Sequence, residues 1–163
     1  MIVRDARPAE LAEIGDLRVM AYETGGFLAD ASNYGETLRT LGHDGTGQIL
    51  VAVDGATHAI LGTVMLQPPP HAGHVVRGPD EAEVRALAVA PQARGLGVGR
   101  ALLRAVTDRA RDGGMRRLVL CTQTTMHTAQ HLYTEAGFRR MPERDWQPVP
   151  GFTLLAYGLE LAG

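Results

Sequence analysis

The chain of 163 residues has no lysine, a single cysteine and few aromatic residues. Cys121 has no cysteine to pair with, which favours a reducing compartment, and we expect a cytoplasmic location. No apolar run reaches the length of a membrane span, and residues 1–18 mix acids, arginines and a proline, so neither a membrane segment nor a secretion signal is predicted. Aromatic residues at 5% and a formal net charge of -2 argue against a nucleic-acid partner.

The basic residues are all arginines, and they are unevenly distributed. Residues 94–117 hold 7 arginines and 2 acids, whereas residues 1–93 hold 6 arginines and 12 acids. A short basic segment in an otherwise acidic chain suits a compact polyanionic ligand better than a long nucleic acid.

Hydrophobic periodicity predicts alternating strands and helices without repeats or linkers, and therefore one domain over residues 1–163. Strands are predicted at 1–6, 48–53, 59–67, 81–90, 117–122 and 152–161, the last pairing with 138–141. Helices are predicted at 8–21, 34–41, 98–112 and 128–136. Residues 22–33 and 68–80, rich in glycine and in proline respectively, are predicted to be loops.

The most informative segment runs from Gln92 to Arg100 and lies between a predicted strand and a predicted helix. Glycines at 95, 97 and 99 leave its backbone without side chains at every second position. Bare N–H groups at a helix N-terminus favour the binding of phosphate. We therefore predict an anion site here rather than a simple tight turn.

Three phosphate-binding signatures compete for this segment. A Walker loop needs a lysine, and the chain has none. A dinucleotide fingerprint G-x-G-x-x-G/A fails because the sixth position is Arg100 when counted from Gly95 and Leu102 when counted from Gly97. What remains is the pattern Arg94-x-x-Gly97-x-Gly99.

This pattern, with the strand-like run from Glu83 to Pro91 before it, resembles the pyrophosphate loop R/Q-x-x-G-x-G/A of the GNAT acetyltransferase family. A second family motif, A-x-x-L-Y-x-x-x-G-F, is matched in full from Ala129 to Phe138. The resemblance is strongest over residues 48–140. It implies an α/β (α+β) fold with a single mixed, mostly antiparallel twisted sheet flanked by helices, whose central strands splay apart to bind acyl-CoA.

The resemblance also implies the cofactor and its contacts. Acetyl-CoA would be the co-substrate, with no metal, and transfer to an amine would occur by direct attack in a ternary complex. The strand before the loop would bulge and bind the pantetheine arm through its backbone, Ala88 and Val89 above all. The cofactor-binding residues expected on this basis are Leu87, Ala88, Val89, Arg94, Gly95, Leu96, Gly97, Val98, Gly99 and Arg100.

Acetyl transfer to an amine needs a base, because an alkyl amine with a pKa near ~10 is almost wholly protonated at neutral pH. Glu83 is the candidate base because it lies on the strand before the glycine loop; Glu81, two residues earlier, or an ordered water is the alternative. By the resemblance, Tyr133 would protonate the departing sulfur, while packing against the cofactor without proton transfer is the other interpretation.

Some residues depart from the pattern or suggest other sites. Many members of the family carry asparagine where this chain has Met126, and Thr125 or Thr128 would then have to supply its hydrogen bond. His127 and His131 have the spacing of two zinc ligands, but neither a third ligand nor the glutamate of a metalloprotease motif accompanies them. We predict no metal.

The sequence leaves the acceptor open. The partner would be a small-molecule or peptide amine, and the acidic bias of residues 22–41 and 68–80 favours a cationic one. We expect no membrane partner, and homodimers are common in the family. The alternative function is a non-catalytic acyl-CoA-binding or regulatory domain of the same fold.

Overall fold

The computed structural model describes residues 1–28 and 34–161, which form eight strands and four helices. The strands are β1 (Ile2–Asp5), β2 (Gln48–Val53), β3 (Ile60–Gln67), β4 (Glu81–Val89), β5 (Arg117–Gln123), β6 (Arg139–Arg140), β7 (Trp146–Val149) and β8 (Phe152–Glu160). The helices are α1 (Leu11–Thr24), α2 (Tyr34–Thr40), α3 (Val98–Asp112) and α4 (His127–Glu135).

The strands form a single mixed sheet. Its order is β1-β2-β3-β4-β5-β8-β6, and β7 pairs with β8 beside this path. In the described part of the chain, β4 and β5 are the one parallel pair, and the other pairs are antiparallel. A parallel pair requires a crossover, and α3 provides it between β4 and β5. The predicted mixed, mostly antiparallel sheet flanked by helices is confirmed.

The core consists of aliphatic side chains from the sheet and from the apolar stripes of the helices. α3 buries a stripe at helical spacing, which packs on β1 to β4: Val98, Leu102, Leu103, Val106 and Ala110. α1 packs against β3 and β4 through Ile14, Leu17 and Ala21. Arg18 fastens α1 to the end of α2, since its Nη1 donates to the carbonyl oxygens of Leu38 and Leu41 at 2.9 and 2.7 Å.

Two irregularities of β4 open the middle of the sheet. Thr63 of β3 pairs with Ala88 and Met65 pairs with Arg85, so β4 contains one extra residue, a β-bulge, at which Ala86 has a φ of 53°. The pairing of β4 with β5 covers Glu81 to Glu83 and ends there. The second half of β4 therefore has no partner strand on that side, as the expected bulge and splay require.

The predicted boundaries agree closely with these elements, with two exceptions. α1 continues to Thr24, so the predicted loop at 22–33 is wrong for its first three residues, while residues 29–33 lie outside the described part of the chain. β7 was not predicted, because Pro148 within it cannot donate to a ladder. No helix in the described ranges is long and apolar enough to cross a membrane.

Candidate active site

A cleft of about 1240 Å³ opens where β4 and β5 separate. Its walls come from the second halves of these strands, the first turns of α3 and α4, the end of α1 and part of the 68–80 loop. Every site residue predicted from the sequence lines it except Leu96, whose side chain is 67% exposed to solvent. Leu96 belongs to the same loop, and its part in binding the cofactor stays a prediction.

The glycine loop leads directly into α3. Gly95 and Gly97 have φ values of 79° and 80°, in the left-handed region that favours glycine, and Gly97 is the N-cap of the helix. Among the residues described, no side chain caps this end. Ala101 N–H is the first to bond back into the turn, to the Gly97 carbonyl at 3.0 Å. The N–H groups of residues 98–100 thus remain available to a ligand, and the helix dipole makes an anion favourable there.

Two arginines flank this end of the cleft. Arg100 Nη2 donates to Glu135 Oε2 of α4 at 2.9 Å, so part of its charge is already compensated. Within the described residues the Arg94 guanidinium forms no hydrogen bond or ion pair. Arg94 is therefore the freer of the two for a phosphate group.

Beyond the bulge, the backbone N–H and C=O groups of successive β4 residues point alternately toward β3 and toward the cleft. Ala90 N–H donates to Leu61 O at 2.8 Å, and Ala88 is the Cα partner of Thr63. Because hydrogen-bonded pairs alternate along an antiparallel ladder, the N–H and C=O of Ala88 are directed to β3 and those of Val89 to the opening. This geometry favours Val89 over Ala88 as a backbone donor to a ligand.

Glu83 lies at the last paired position between β4 and β5, and its side chain lines the cleft. Its Oε1 accepts from Gly73 N–H at 2.8 Å, and its Oε2 is 3.9 Å from Arg85 Nε. Burial raises the pKa of this carboxyl group, with Arg85 opposing the shift. A buried carboxylate of raised pKa is suited to accept a proton near neutral pH.

Glu81, the alternative candidate base, is occupied by arginine and backbone donors. Arg144 binds both of its oxygens at 2.7 and 3.0 Å, Arg117 donates at 2.9 Å, and Arg77 N–H donates at 2.9 Å. The pKa of Glu81 is lowered, because these donors outweigh its burial. This carboxylate does not line the cleft and holds the start of β4 to β5 and to the segment before β7.

Tyr133 points from α4 into the same cleft and is buried. Its ring packs against Phe138 and Tyr157 at centroid distances of 5.9 and 6.1 Å. Burial raises the pKa of Tyr133 far above that of a free phenol, and nearby Tyr34 and Tyr157 add to the shift. The hydroxyl is therefore held in its protonated form, the form that can donate to sulfur.

Comparison with known proteins agrees with this geometry. The family model described as "Acetyltransferase (GNAT) family" matches residues 12–138. The chain belongs to this family. It has 29% identity and a TM-score of 0.73 with a GCN5-related N-acetyltransferase from Kribbella flavida, covering 98% of this chain and 97% of the other.

Two further relatives are informative. The structure of a putative acetyltransferase from Salmonella typhimurium, solved with its cofactor acetyl-CoA, matches with a TM-score of 0.71 at 19% identity. The match covers 100% of this chain and 95% of the other. A mycothiol acetyltransferase from Cellulomonas flavigena is 35% identical over 99 residues, 60% of this chain. The match spans only 28% of that longer protein.

The start of α4 departs from the usual GNAT pattern. Met126 is the N-cap without a capping hydrogen bond, and Thr122 Oγ1 lies 3.4 Å from its sulfur. Thr125 and Thr128 both line the cleft, so either can supply the contact expected of an asparagine. His127 and His131 are exposed on this helix, and no group of three metal-binding side chains occurs in the part of the chain that the structure describes.

Several cleft residues of this family member are not predicted from the sequence. Arg85 follows Glu83 by two positions on β4, a spacing that could have identified it because alternate residues share one face of a strand. Tyr22 and Tyr34 reach the cleft from α1 and α2. Trp146 of the unpredicted β7 stacks on His74 of the 68–80 loop at 4.3 Å, which gives the cleft an aromatic wall.

Proposed function

We propose that this acetyltransferase transfers the acetyl group of acetyl-CoA to the primary amine of a small molecule or peptide by direct attack in a ternary complex. The observation that carries the proposal is the single cleft between β4 and β5, which joins an anion-binding helix end, free backbone groups, a buried carboxylate and a buried phenol. Acetyl-CoA supplies an activated thioester. The chain must bind it, position the amine, accept a proton from the amine and provide one to the departing sulfur.

Binding is assigned to the loop and to the splayed strand. The N–H groups of residues 98–100 and the guanidinium of Arg94 would hold the diphosphate, since that end of α3 is uncapped. The strand backbone at Val89 would bind the extended arm as a missing neighbouring strand would. Both surfaces line the same cleft, so a ligand held by the loop continues into the splay.

Glu83 is proposed as the base, directly or through one water. The amine must lose a proton to attack the carbonyl carbon, and a carboxylate whose pKa is raised by burial is a stronger base than an exposed glutamate. Gly73 N–H fixes the orientation of the carboxylate.

Val89 and Tyr133 are proposed to stabilise the charge that develops as the new C–N bond forms and the C–S bond breaks. A backbone N–H directed at the carbonyl oxygen is worth about 3 kcal/mol in comparable oxyanion holes. The Tyr133 hydroxyl would donate its proton, or a strong hydrogen bond, to the sulfur. Burial disfavours the phenolate, so a hydrogen bond to the sulfur that keeps the proton on Tyr133 until the thiolate leaves is the role its pKa favours.

A thiol-release assay with acetyl-CoA over several classes of amine tests this proposal, alongside calorimetric binding of CoA. Binding together with amine-dependent thiol release is expected. Binding without release for any amine would support the non-catalytic alternative, and absence of CoA binding would contradict both functions.

A further inference from the structure

Two neighbouring arginines lack full partners: Arg85, which lines the cleft, and Arg18, which is buried and does not line it. Arg18 of α1 is completely buried, yet in the described part of the chain its Nε and Nη2 have no hydrogen-bond partner and no carboxylate pairs with it. Burial lowers its pKa to about 10, so it remains cationic at neutral pH. A buried cation without a counter-ion is costly, which indicates that something else compensates its charge.

Arg85 carries the second charge and reaches the cleft itself. Its side chain is 27% exposed, and its one ion pair is the long 3.9 Å approach of Nε to Glu83 Oε2. Among the described residues its guanidinium makes no hydrogen bond. A planar fork of five N–H donors is therefore presented to the cleft beside the proposed base.

The surrounding acids do not offset these charges. Glu23, Glu36 and Asp80, from the segments whose acidic bias favoured a cationic acceptor, do not line the cleft. The acids that do line it, among the residues described, are Glu83 and Glu135, and Glu135 is paired with Arg100 and His131. Among the described residues, the charges at this end are therefore those of Arg85 and the buried Arg18 against Glu83 alone. Asp30, the remaining acid of these segments, lies outside the described residues, and a cationic acceptor stays a prediction.

We propose that the acceptor carries a carboxylate next to its amino group, as an α-amino acid does, and that Arg85 binds this carboxylate while Glu83 faces the amine. The inference rests on the proposed function and names its substrate class. The two side chains lie side by side in the cleft wall, with Arg85 Nε 3.9 Å from Glu83 Oε2, so one molecule with adjacent amino and carboxylate groups can contact both. Arginine binds carboxylates through paired hydrogen bonds, and the buried charge of Arg18 behind it adds to the attraction.

The test compares matched acceptors with the purified protein and acetyl-CoA: an amino acid, its carboxamide and its decarboxylated amine. The carboxamide has the less basic amine, so intrinsic reactivity near neutral pH favours it over the acid. A kcat/KM at least about 10-fold higher for the acid is expected, since hydrogen bonds to charged groups contribute on this scale. Equal or better use of the carboxamide would overturn the proposal.

Arg85→Gln is expected to abolish the preference of the acid over the carboxamide, and Arg85→Lys to retain part of it. The ratio of the two substrates is the readout because loss of Arg85 also perturbs Glu83, which affects both acceptors alike. Arg116→Gln is the matched control, with the same change of charge at an exposed residue outside the cleft. A preference that persists in Arg85→Gln contradicts the proposal.

Failure of the proposed function would be recognised separately. If no amine releases thiol, calorimetry of the acid and the carboxamide with the CoA-bound protein decides the carboxylate site by itself. Tighter binding of the acid that is lost in Arg85→Gln would support the site, and equal binding would overturn it.

Discussion

At the residue scale, the reactivity of the cleft depends on how its side chains are desolvated. Glu83 is buried with one backbone donor and a distant arginine, whereas Glu81, two positions away on the same strand, is saturated by arginines. The shifts of their pKa values have opposite directions for this reason. Two glutamates that look equivalent in the sequence therefore differ in the chemistry open to them.

Glu83 should produce an acidic limb in the pH profile. Activity requires the ionised carboxylate, so kcat/KM corrected for the neutral fraction of the amine should fall as pH drops through the Glu83 pKa, above the ordinary glutamate value of 4.5. Glu83→Gln should lose about 10²-fold in kcat and also lose this limb. A variant that keeps the limb would show that another group titrates.

The same raised pKa predicts an effect on stability. A carboxyl group whose pKa is higher in the folded state is favourable below its unfolded pKa, and that contribution is lost as pH rises through its folded pKa. Glu83→Gln, which resembles the neutral form, should therefore be more stable than the unaltered protein at pH 8, with the difference shrinking toward pH 4. Thermal unfolding across this range measures it, and a constant difference would contradict the shift.

Tyr133→Phe tests the second proton. Loss of the hydroxyl should lower kcat by about 10²-fold while leaving the Kd of acetyl-CoA nearly unchanged, because only the transition state needs the donor. Tyr157→Phe is the control, since Tyr157 packs against Tyr133 and does not line the cleft. Unchanged turnover in Tyr133→Phe would restrict this residue to packing.

At the element scale, the junction of β4 with α3 creates the binding surface. The bulge at Ala86 and the short pairing with β5 free one edge of the strand, and the loop after it ends in an uncapped helix. The left-handed φ at Gly97 turns the chain so that these two surfaces face one cleft.

Gly97→Ala separates the binding role of this loop from its role as a turn. An alanine at φ 80° costs roughly 1–2 kcal/mol of stability, although an added Cβ would meet no atom. Gly114→Ala is the matched control, because Gly114 has a φ of 81°, equally open surroundings and a position beyond the other end of α3. Both variants should lose similar stability, but only Gly97→Ala should weaken acetyl-CoA binding, by at least about 10-fold. Equal affinity of the two variants for acetyl-CoA would show that the loop acts only as a turn and does not bind the cofactor.

At the scale of the whole molecule, the walls of the cleft come from both halves of the sheet, which are joined by three paired positions between β4 and β5.

A ligand bound between the two halves of the sheet should stabilise the whole native state. At a concentration of 100 times Kd the gain is about 2.7 kcal/mol. For a domain of this size we expect a rise in Tm of about 5–10 °C on adding acetyl-CoA, measured by calorimetry. A smaller rise in Arg94→Gln at the same concentration would locate the binding, and no rise in the unaltered protein would argue against the site.

Local patterns in the sequence predict most of the helices and strands. The bounds of β2 and α3 coincide with the predicted ranges, because alternating or helical apolar spacing ends there at glycine, aspartate or proline signals. β7 could not be predicted, since its two residues of ladder contact with β8 come from a proline-containing segment that forms a strand only beside a longer partner. Gly97, Glu83 and Tyr133, which the sequence predicts as site residues, all line the cleft.

What the sequence by itself determined is therefore the order of the elements, the family and the residue types of the anion-binding loop, since each depends on neighbours within a few positions. The tertiary structure alone decided which of Glu81 and Glu83 lines the cleft, that Leu96 faces solvent, and that Arg18 is buried near Arg85 of the cleft wall. Those properties depend on burial and on partners distant in sequence, such as Arg144 for Glu81 and Gly73 for Glu83. Desolvation and charge pairing are set by packing, and no local pattern encodes them.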